Sequence, residues 1–189
     1  RKLKATFFIL GWVAEKYPEV VKKIHSQGHE IGCHSYIHEL VHRMKPEEFR
    51  EDTKRAISFI ENITGEKIIM YRAPAFSITE RTLWAFEILS EFGIQYDCSV
   101  LPSDSHDYGG FPSYGEILPS VIQVNGIKIR EFPMNTVSVF GKQLIFSGGG
   151  FFRLFPYFLI NYWAKKSPYI VSYFHPRDFD AGQPMLKQL

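Results

Sequence analysis

Strand-like and helix-like segments alternate along the first half of this chain, and this alternation constrains the fold more than any other sequence feature. Short apolar runs typical of strands occupy residues 5–10, 30–34, 68–72 and 94–100. Apolar residues at helical spacing fill the segments between them, at residues 17–28, 46–63 and 79–92. Strands separated by helices of this length favour βα units around a parallel sheet. The sequence therefore predicts the α/β fold class.

Residues that favour helix ends stand where these helices should begin and stop. Pro18 suits a first helical turn, and Gly28 supplies the stop of the same helix. Gly65 ends the second helix, while Thr79 caps the third and Gly93 stops it. These positions predict three separate helices with short connections to the strands.

The second half follows a different pattern. Asn125-Gly126 lies between two alternating runs and predicts a β-hairpin. It follows a segment rich in Gly, Pro, Ser and Asp at residues 101–118, which predicts a loop. Residues 154–165 favour a helix, and residues 169–174 favour a further buried strand.

Composition and charge narrow the classes of function. The net charge is +2 with acidic and basic residues interspersed, so a nucleic-acid partner is not expected. No apolar run is long enough for a transmembrane segment. The apolar residues 150–163, interrupted by Arg153 and Pro156, predict a buried element, with contact to a membrane surface as the alternative.

Two cysteines, Cys33 and Cys98, are too few for a disulfide framework, and the sequence leaves open whether they pair. The compartment also stays open, with a cytoplasmic or membrane-associated location favoured because we expect the N-terminus to be missing. Oligomeric state carries no sequence signal.

Four polar residues of types used in catalysis stand at or just past the ends of predicted strands. They are His34, Arg72, Asp97 and His175. Because the carboxyl ends of parallel strands converge on one face, where sites are commonly built, we expect these side chains to lie together.

His34 and His38 lie four residues apart directly after a predicted strand. If the segment forms a helical turn, both imidazoles point the same way and share one metal ion, zinc being the best suited. A catalytic site would need a third protein ligand and an open position. His38 and His42 have the same spacing, and a histidine-bearing surface loop is the alternative reading.

Four motifs occur together in a familiar order: "KATFFILG", "YPEVVKKIHSQGHEIGCHSYIH", "YRAPAFS" and "VSYFHP". They resemble the polysaccharide deacetylase, or NodB-homology, family of carbohydrate esterases. The segments "YDCSVLPSDSHDYGGFP" and "SGGGFFRLFPY" resemble the branch linked to exopolysaccharide biosynthesis. The resemblance implies a deformed (β/α) barrel and hydrolysis of N-acetyl, or sometimes O-acetyl, groups on sugars. It also implies one divalent metal ion, often zinc, held by an Asp and two His.

The resemblance assigns roles to four residues. His34 and His38 match the two metal-binding histidines of the family, and His175 matches its general acid. Arg72 matches the arginine that orients the catalytic base. In this mechanism, water activated by the metal attacks the amide, and His175 protonates the departing amine.

Three further assignments are looser. Asp97 stands near the position of an aspartate that partners the histidine or the arginine. Pro74 matches the proline of the Arg-x-Pro motif, and we expect Pro74 and Phe76 to contact substrate. Asp178 and Asp180 are alternative partners of His175.

Rings of the 101–118 loop are candidates for stacking on a sugar, with local packing as the alternative. They are Tyr108, Phe111 and Tyr114, and His106 and Asp107 lie in the same loop.

The family's first motif, an Asp-Asp pair that supplies the base and the third metal ligand, does not occur before "KATFFILG" in these residues. We therefore expect residues 1–189 to be a single polysaccharide deacetylase-like catalytic domain lacking its first strand. The leading hypothesis is a metal-dependent deacetylase of an N-acetylated polysaccharide or its precursor. The alternatives are a non-catalytic carbohydrate-binding relative and an amidohydrolase acting on a small cyclic amide.

Overall fold

The computed structural model describes residues 3–103, 109–139 and 141–182. Its first half contains four strands, β1 (Thr6–Ile9), β2 (Glu30–Cys33), β3 (Met70–Tyr71) and β4 (Tyr96–Asp97). The helices between them are α1 (Gly11–Lys16), α2 (Pro18–Ser26), α3 (Pro46–Thr64) and α4 (Trp84–Glu91). Short 3-10 turns cover Val41–Arg43, Pro74–Phe76 and Glu80–Thr82.

The second half adds strands at the other edge of the sheet and two further helices. The strands are β5 (Ser120–Val124), β6 (Ile127–Glu131), β7 (Thr136–Val139) and β8 (Lys142–Ile145). The helices are α5 (Gly149–Leu154) and α6 (Tyr157–Lys166), and a 3-10 turn covers Pro176–Asp178.

The main sheet has the strand order β1-β2-β3-β4-β6-β5. Strands β1, β2, β3, β4 and β6 run parallel, while β5 pairs antiparallel with β6, and β7 and β8 form a separate antiparallel pair. The predicted α/β class with a parallel sheet is confirmed. Over the described residues the sheet stays open, as a deformed barrel allows.

The main core lies between the sheet and helices α1 to α4. Phe49, Ala56 and Ile60 of α3 are fully buried on one face of that helix. The Phe49 ring meets the rings of Tyr71 and Trp84 edge-on, with centroids 5.9 Å and 5.6 Å apart. Burying such side chains contributes about 1.5–3 kcal/mol each, so this stripe fixes α3 on the sheet.

The predicted helix ends and turns are confirmed. Pro18 begins α2, and Gly65 ends α3 in the left-handed conformation with φ 73°. Thr79 accepts a hydrogen bond from the backbone N–H of Arg81, 3.3 Å away, at the start of the third helical segment. Asn125 (φ 47°) and Gly126 (φ 83°) form a two-residue hairpin turn, which requires positive φ at both positions.

Several predicted strands are shorter or less buried than expected. The segment 5–10 contains β1, which is an edge strand of the sheet and has only Ile9 buried. The buried strand expected at 169–174 is wrong. This segment makes a single bridge, between Tyr173 and Gly148, and most of its side chains are exposed or half-buried.

The apolar residues 150–163 are not a buried element, and that prediction is also wrong. Two helices share the segment and are separated at Phe155-Pro156, since Pro156 lacks the N–H that would continue α5. The helix expected from residue 154 therefore begins at Tyr157. Much of its apolar surface faces solvent, because hydropathy alone does not determine which face meets a core.

Two elements carry too little sequence signal to be predicted. Helix α1 has only six residues, fewer than two turns, so no apolar periodicity develops. The β7–β8 pair lies in a stretch without a two-residue turn motif of the Asn-Gly type.

Cys33 and Cys98 are free thiols in this structure. Burial raises the pKa of each thiol to about 12, so both stay protonated at neutral pH. Among the described helices, none has the length and apolar character needed to cross a membrane.

Substituting Gly11→Ala should destabilise the fold. An added Cβ would lie 2.5 Å from Cδ2 of Tyr36 and 2.7 Å from the Cα of Ala56, where α1 crosses α3. We expect a loss of about 1–3 kcal/mol in the free energy of unfolding, measured by urea denaturation. Gly115→Ala is the control, because nothing lies within 4 Å of its added Cβ. Equal stability of both variants would contradict the close packing of α1 on α3.

Candidate functional site

The register of the parallel sheet aligns the carboxyl ends of four strands. Cys33 pairs with Tyr71, Tyr71 with Asp97, and Asp97 with Glu131, so these four residues form one row across the sheet. The residues that follow the row therefore leave the sheet at the same edge. His34 is among them, immediately after β2.

His34 is held in a defined orientation and protonation state. Its Nδ1 lies 2.6 Å from the backbone carbonyl oxygen of Arg72, so Nδ1–H donates to this oxygen and the Nε2 lone pair stays free. Burial lowers the pKa of His34 to about 4, and repulsion from His38, Arg72 and His175 acts in the same direction. The ring is therefore neutral at pH 7.

The His34 and His38 rings lie side by side, with centroids 5.1 Å apart and planes at 81°. The connecting segment does not form a helical turn, which was one way for the two rings to be brought together. Instead, Ser35 (φ 63°) and His38 (φ 65°) adopt left-handed conformations. The backbone N–H of His38 donates to the Ser35 hydroxyl, 2.9 Å away, and this bond closes the loop.

The histidine loop is anchored to two helices. The Asp52 carboxylate of α3 accepts hydrogen bonds from the backbone N–H groups of Tyr36 (2.8 Å) and Ile37 (3.2 Å). The N–H of Gly11, at the start of α1, donates to the Ser35 carbonyl, 2.9 Å away. Main-core helices therefore fix the positions of the two imidazoles.

Arg72 lies within a frame of aromatic rings. Its Nε donates to the Cys98 carbonyl at 3.2 Å, which ties the side chain to the end of the next strand. The guanidinium carbon lies 4.8 Å from the ring centroid of Phe8, 5.8 Å from Phe76 and 5.9 Å from Tyr173. Stacking on several rings favours arginine over lysine at this position.

Pro74 and Phe76 lie in the tight turn after β3. Pro74 is buried, whereas Phe76 is half-buried with its ring 5.3 Å from that of Tyr173. Ala75 (φ 49°) and Phe76 (φ 55°) are left-handed. Gly109 packs so closely on this turn that a Cβ would overlap the Phe76 carbonyl.

Left-handed non-glycine residues therefore concentrate at this edge of the sheet. Four of the five in the described chain are Ser35, His38, Ala75 and Phe76, and the fifth is the hairpin residue Asn125. Each such conformation costs about 1–3 kcal/mol and persists only where its surroundings enforce it. The clustering indicates that the surrounding structure holds these residues in defined conformations despite the local energetic cost.

Asp97 and Glu131 form a buried acid pair behind Arg72, and both are fully inaccessible. The Asp97 carboxylate accepts hydrogen bonds from Ser99, through its N–H at 3.0 Å and its hydroxyl at 2.7 Å. Glu131 accepts one, from the N–H of Val100 at 3.0 Å. Asp97 is therefore the better-stabilised anion of the two, and the Glu131 Oε2 atom has no hydrogen-bond partner among the described residues.

Burial raises the pKa of both carboxyl groups, and for Glu131 the charge of Asp97 raises it further. The Arg72 cation lowers the pKa of both. Glu131 carries no motif in the sequence. The only sequence signal for Glu131 is its position at the end of a strand, and Asp97 ends a different strand in the same way.

His175 lies on the same side of the molecule as the histidine pair. Its ring centroid is 6.0 Å from that of Tyr173, which borders Arg72 and Phe76, and its charge contributes to the lowered pKa of His34. The side chain is about half exposed, at 47%. A substrate in solvent can therefore reach it.

Asp178, not Asp180, is the acid beside His175. Its Oδ2 accepts the backbone N–H of His175 at 2.8 Å and lies 3.6 Å from the ring Nδ1. The hydrogen bond from the His175 N–H and the nearby Arg153 cation lower the pKa of Asp178. Asp180 instead accepts the N–H of Gly182 at 2.9 Å.

The two histidines supply part of the ligand set that a metal ion needs. Neutral imidazole with a free Nε2, as His34 presents, is the form that binds divalent transition metals. Over residues 3–103, 109–139 and 141–182, no group of three or more His, Cys, Asp or Glu side chains is arranged to hold such an ion. The described chain thus offers two adjacent imidazoles and no third ligand.

Two of the three candidate sugar-stacking rings, Phe111 and Tyr114, pack locally, which is the alternative that the sequence left open. Phe111 is buried in the main core, and Tyr114 lies against it with centroids 5.6 Å apart. His106, Asp107 and Tyr108 lie outside the described residues.

Comparison with known proteins adds a family context. Residues 1–96 match the sequence profile of the family described as polysaccharide deacetylase, and residues 98–189 match a domain of unknown function (DUF3473). A crystal structure of a Mycobacterium smegmatis protein assigned as a polysaccharide deacetylase superposes with a TM-score of 0.56. It is 28% identical and covers 69% of this chain and 40% of that chain.

Curated relatives include a peptidoglycan-N-acetylglucosamine deacetylase of Bacillus cereus, 37% identical over 86 residues, covering 45% of this chain and 31% of that protein. A peptidoglycan deacetylase of Helicobacter pylori is 31% identical over 106 residues, covering 56% of this chain and 35% of that protein. The chain thus spans about a third of the length of these relatives.

The Glu131→Gln substitution should change the pH dependence of stability. The folded state raises the pKa of Glu131 above its usual 4.5, so it binds more protons than the unfolded state. Stability contributed by this proton is present below pH 4.5 and is lost as pH rises toward the folded-state pKa. We expect urea midpoints of the wild type to fall over this range, and those of Glu131→Gln to fall less.

Glu116→Gln serves as the control, because Glu116 is exposed. Its midpoints should follow the wild-type curve. Parallel curves for Glu131→Gln and wild type would show that the buried pair does not retain the extra proton.

Proposed function

Because this chain belongs to the polysaccharide deacetylase family, we propose that the protein hydrolyses N-acetyl groups on a polysaccharide or its lipid-linked precursor. The relatives named as deacetylases of peptidoglycan support the substrate class. The segments around residues 96–112 and 147–157 support the narrower placement in the branch linked to exopolysaccharide biosynthesis.

One observation carries the proposal: two adjacent imidazoles, one of them fixed as a neutral ring with a free Nε2. We propose that His34 and His38 hold one divalent cation, with zinc the best match to imidazole ligands. When bound, such an ion supplies Lewis-acid activation of water and polarises the scissile carbonyl. The hydrogen bond to the Arg72 carbonyl fixes the His34 ring and leaves its Nε2 free, so Nε2 is the atom that would hold the ion.

His175 is proposed as the general acid. Its ring is accessible, lies on the side of the histidine pair, and faces the Asp178 carboxylate through Nδ1 at 3.6 Å. The Nδ1–H faces the Asp178 carboxylate, and when the ring carries a second proton on Nε2, that proton is the one it would donate to the departing amine. The hydrogen bond from the backbone N–H of His175 to the Asp178 carboxylate keeps the ring and the acid close together.

Arg72 is proposed to orient the catalytic base, with Phe76 and Tyr173 bordering the substrate. Asp97 is fully buried and cannot touch a substrate, so we assign it a positioning role rather than a catalytic one. Its carboxylate supplies a buried negative charge that interacts favourably with the Arg72 cation. Pro74, also buried, fixes the turn that presents Phe76.

Metal analysis of the full-length protein tests the histidine pair. Wild type dialysed against zinc should retain about one ion, and His34→Ala should retain much less, because it removes one of the two adjacent imidazoles. His42→Ala is the matched control, since His42 is exposed and has the same spacing from His38. Loss of zinc in His42→Ala but not in His34→Ala would reject the assignment.

Acetate release from N-acetylglucosamine oligomers tests the reaction. His175→Ala should keep its zinc and lose about 10²–10⁴-fold in kcat, the usual contribution of a general acid. His42→Ala should keep wild-type turnover. Wild-type protein that binds the oligomers without releasing acetate would support a non-catalytic relative, and turnover of a small cyclic ureide alone would support an amidohydrolase.

A further inference from the structure

One long stretch of this chain contains no acidic residue. Between Glu131 and Asp178 there are five basic residues, Lys142, Arg153, Lys165, Lys166 and Arg177, and no Asp or Glu. Acidic residues are otherwise frequent, at 20 of 189. Lys165 and Lys166 of this stretch lie at the end of α6 and are exposed, so this helix carries positive charge with no acidic residue of its own.

The same two helices expose large apolar side chains. Leu154 is 71% exposed, Tyr157 75%, Phe158 69% and Tyr162 52%. Exposed leucine and aromatic residues are ordinary when scattered, but four within nine positions make a patch. The α5–α6 surface is defined here as Leu154, Tyr157, Phe158, Tyr162, Lys165 and Lys166.

Helix α6 is fixed to the protein by its opposite face. Trp163 packs on Phe146 and Phe155, with ring centroids 5.7 Å and 5.2 Å apart, and Ile160 is buried. The exposed side chains are therefore not poorly placed core residues. They belong to a helix whose core-facing side is already occupied.

Aromatic and basic side chains lie together on the exposed face of α6. Phe158, Tyr162 and Lys166 follow one another at intervals of four, so they share one side of the helix. The Lys166 ammonium lies 4.4 Å from the centroid of the Tyr162 ring. Apolar side chains thus lie next to cationic groups along the helix.

This combination matches the physical chemistry of a bilayer surface. Tyrosine and phenylalanine side chains favour the boundary between headgroups and acyl chains, and lysine favours anionic headgroups. A protein partner is a poorer match, because the cores of protein interfaces are depleted in lysine. We propose that the α5–α6 surface binds peripherally to an anionic lipid bilayer.

The surface borders the candidate site. Arg153 of α5 pairs with Asp178 at 3.4 Å, and Asp178 accepts the N–H of His175. Lipid bound at α5 and α6 would therefore lie beside the strand-end edge of the sheet. The proposal concerns lipid binding alone and stands independently of the proposed reaction.

Co-sedimentation with phosphatidylcholine vesicles, with and without phosphatidylglycerol, tests the proposal. The full-length protein should bind the anionic vesicles and bind the neutral ones much less. Added salt should weaken the binding, since exposed charges are screened beyond about 10 Å at 0.1 M ionic strength. Equal binding to both vesicle types, or to neither, would overturn the proposal.

Two pairs of variants separate the apolar and the charged contributions. Lys165→Gln/Lys166→Gln should weaken binding by about fivefold for each lysine removed, whereas Lys22→Gln/Lys54→Gln removes the same charge from exposed positions of α2 and α3 and should bind nearly as wild type. Tyr157→Ser/Phe158→Ser should also weaken binding. Its control is Ile117→Ser/Val121→Ser, which changes two exposed apolar residues near β5.

Circular dichroism of all four variants establishes that they fold, and all substituted side chains are exposed. If both control pairs weaken binding as much as the α5–α6 pairs, the surface is not the lipid site. If sedimentation equilibrium shows a dimer that Tyr157→Ser/Phe158→Ser dissociates, and vesicles are not bound, a second copy of the chain covers this surface and the lipid proposal fails.

Discussion

The in-register pairing of parallel strands is the constraint on which this structure depends. Cys33, Tyr71, Asp97 and Glu131 align across four strands, and His34 and Arg72 follow directly after two residues of that row. A shift of one residue in any strand would turn its side chains to the opposite face of the sheet. The core stripe of α3 fixes the register, since burial of Phe49 against Tyr71 requires this alignment.

Sequence pattern predicts the first half of the fold well, because its helices are long and end at residues with specific backbone demands. Gly65 is such a case and adopts positive φ as expected, and so do Asn125 and Gly126 in the hairpin turn of the second half. Prediction fails where an element is short or where exposure depends on neighbours. The six residues of α1 show no periodicity, and the rings of α6 give no sign of facing solvent.

The same division applies to the candidate site. Strand ends and the family resemblance lead to His34, His38, Arg72 and His175, and the structure brings these residues to one side of the molecule. The residues that contact these side chains cannot be identified from the sequence in the same way. Asp178 faces His175, and Asp180 does not, because of the short 3-10 turn that directly follows His175. Glu131 becomes significant only because the hairpin strand β6 joins β4 in parallel register.

The left-handed residues at 35, 38, 75 and 76 have an evolutionary consequence. Glycine at any of them would relieve local strain and permit the same path of the chain. It would also loosen the angle between the two imidazoles or the position of the Phe76 ring, because glycine has many more accessible conformations. Selection for thermal stability alone should therefore favour glycine at these positions. The resulting proteins would be more stable, but their site residues would be less well ordered.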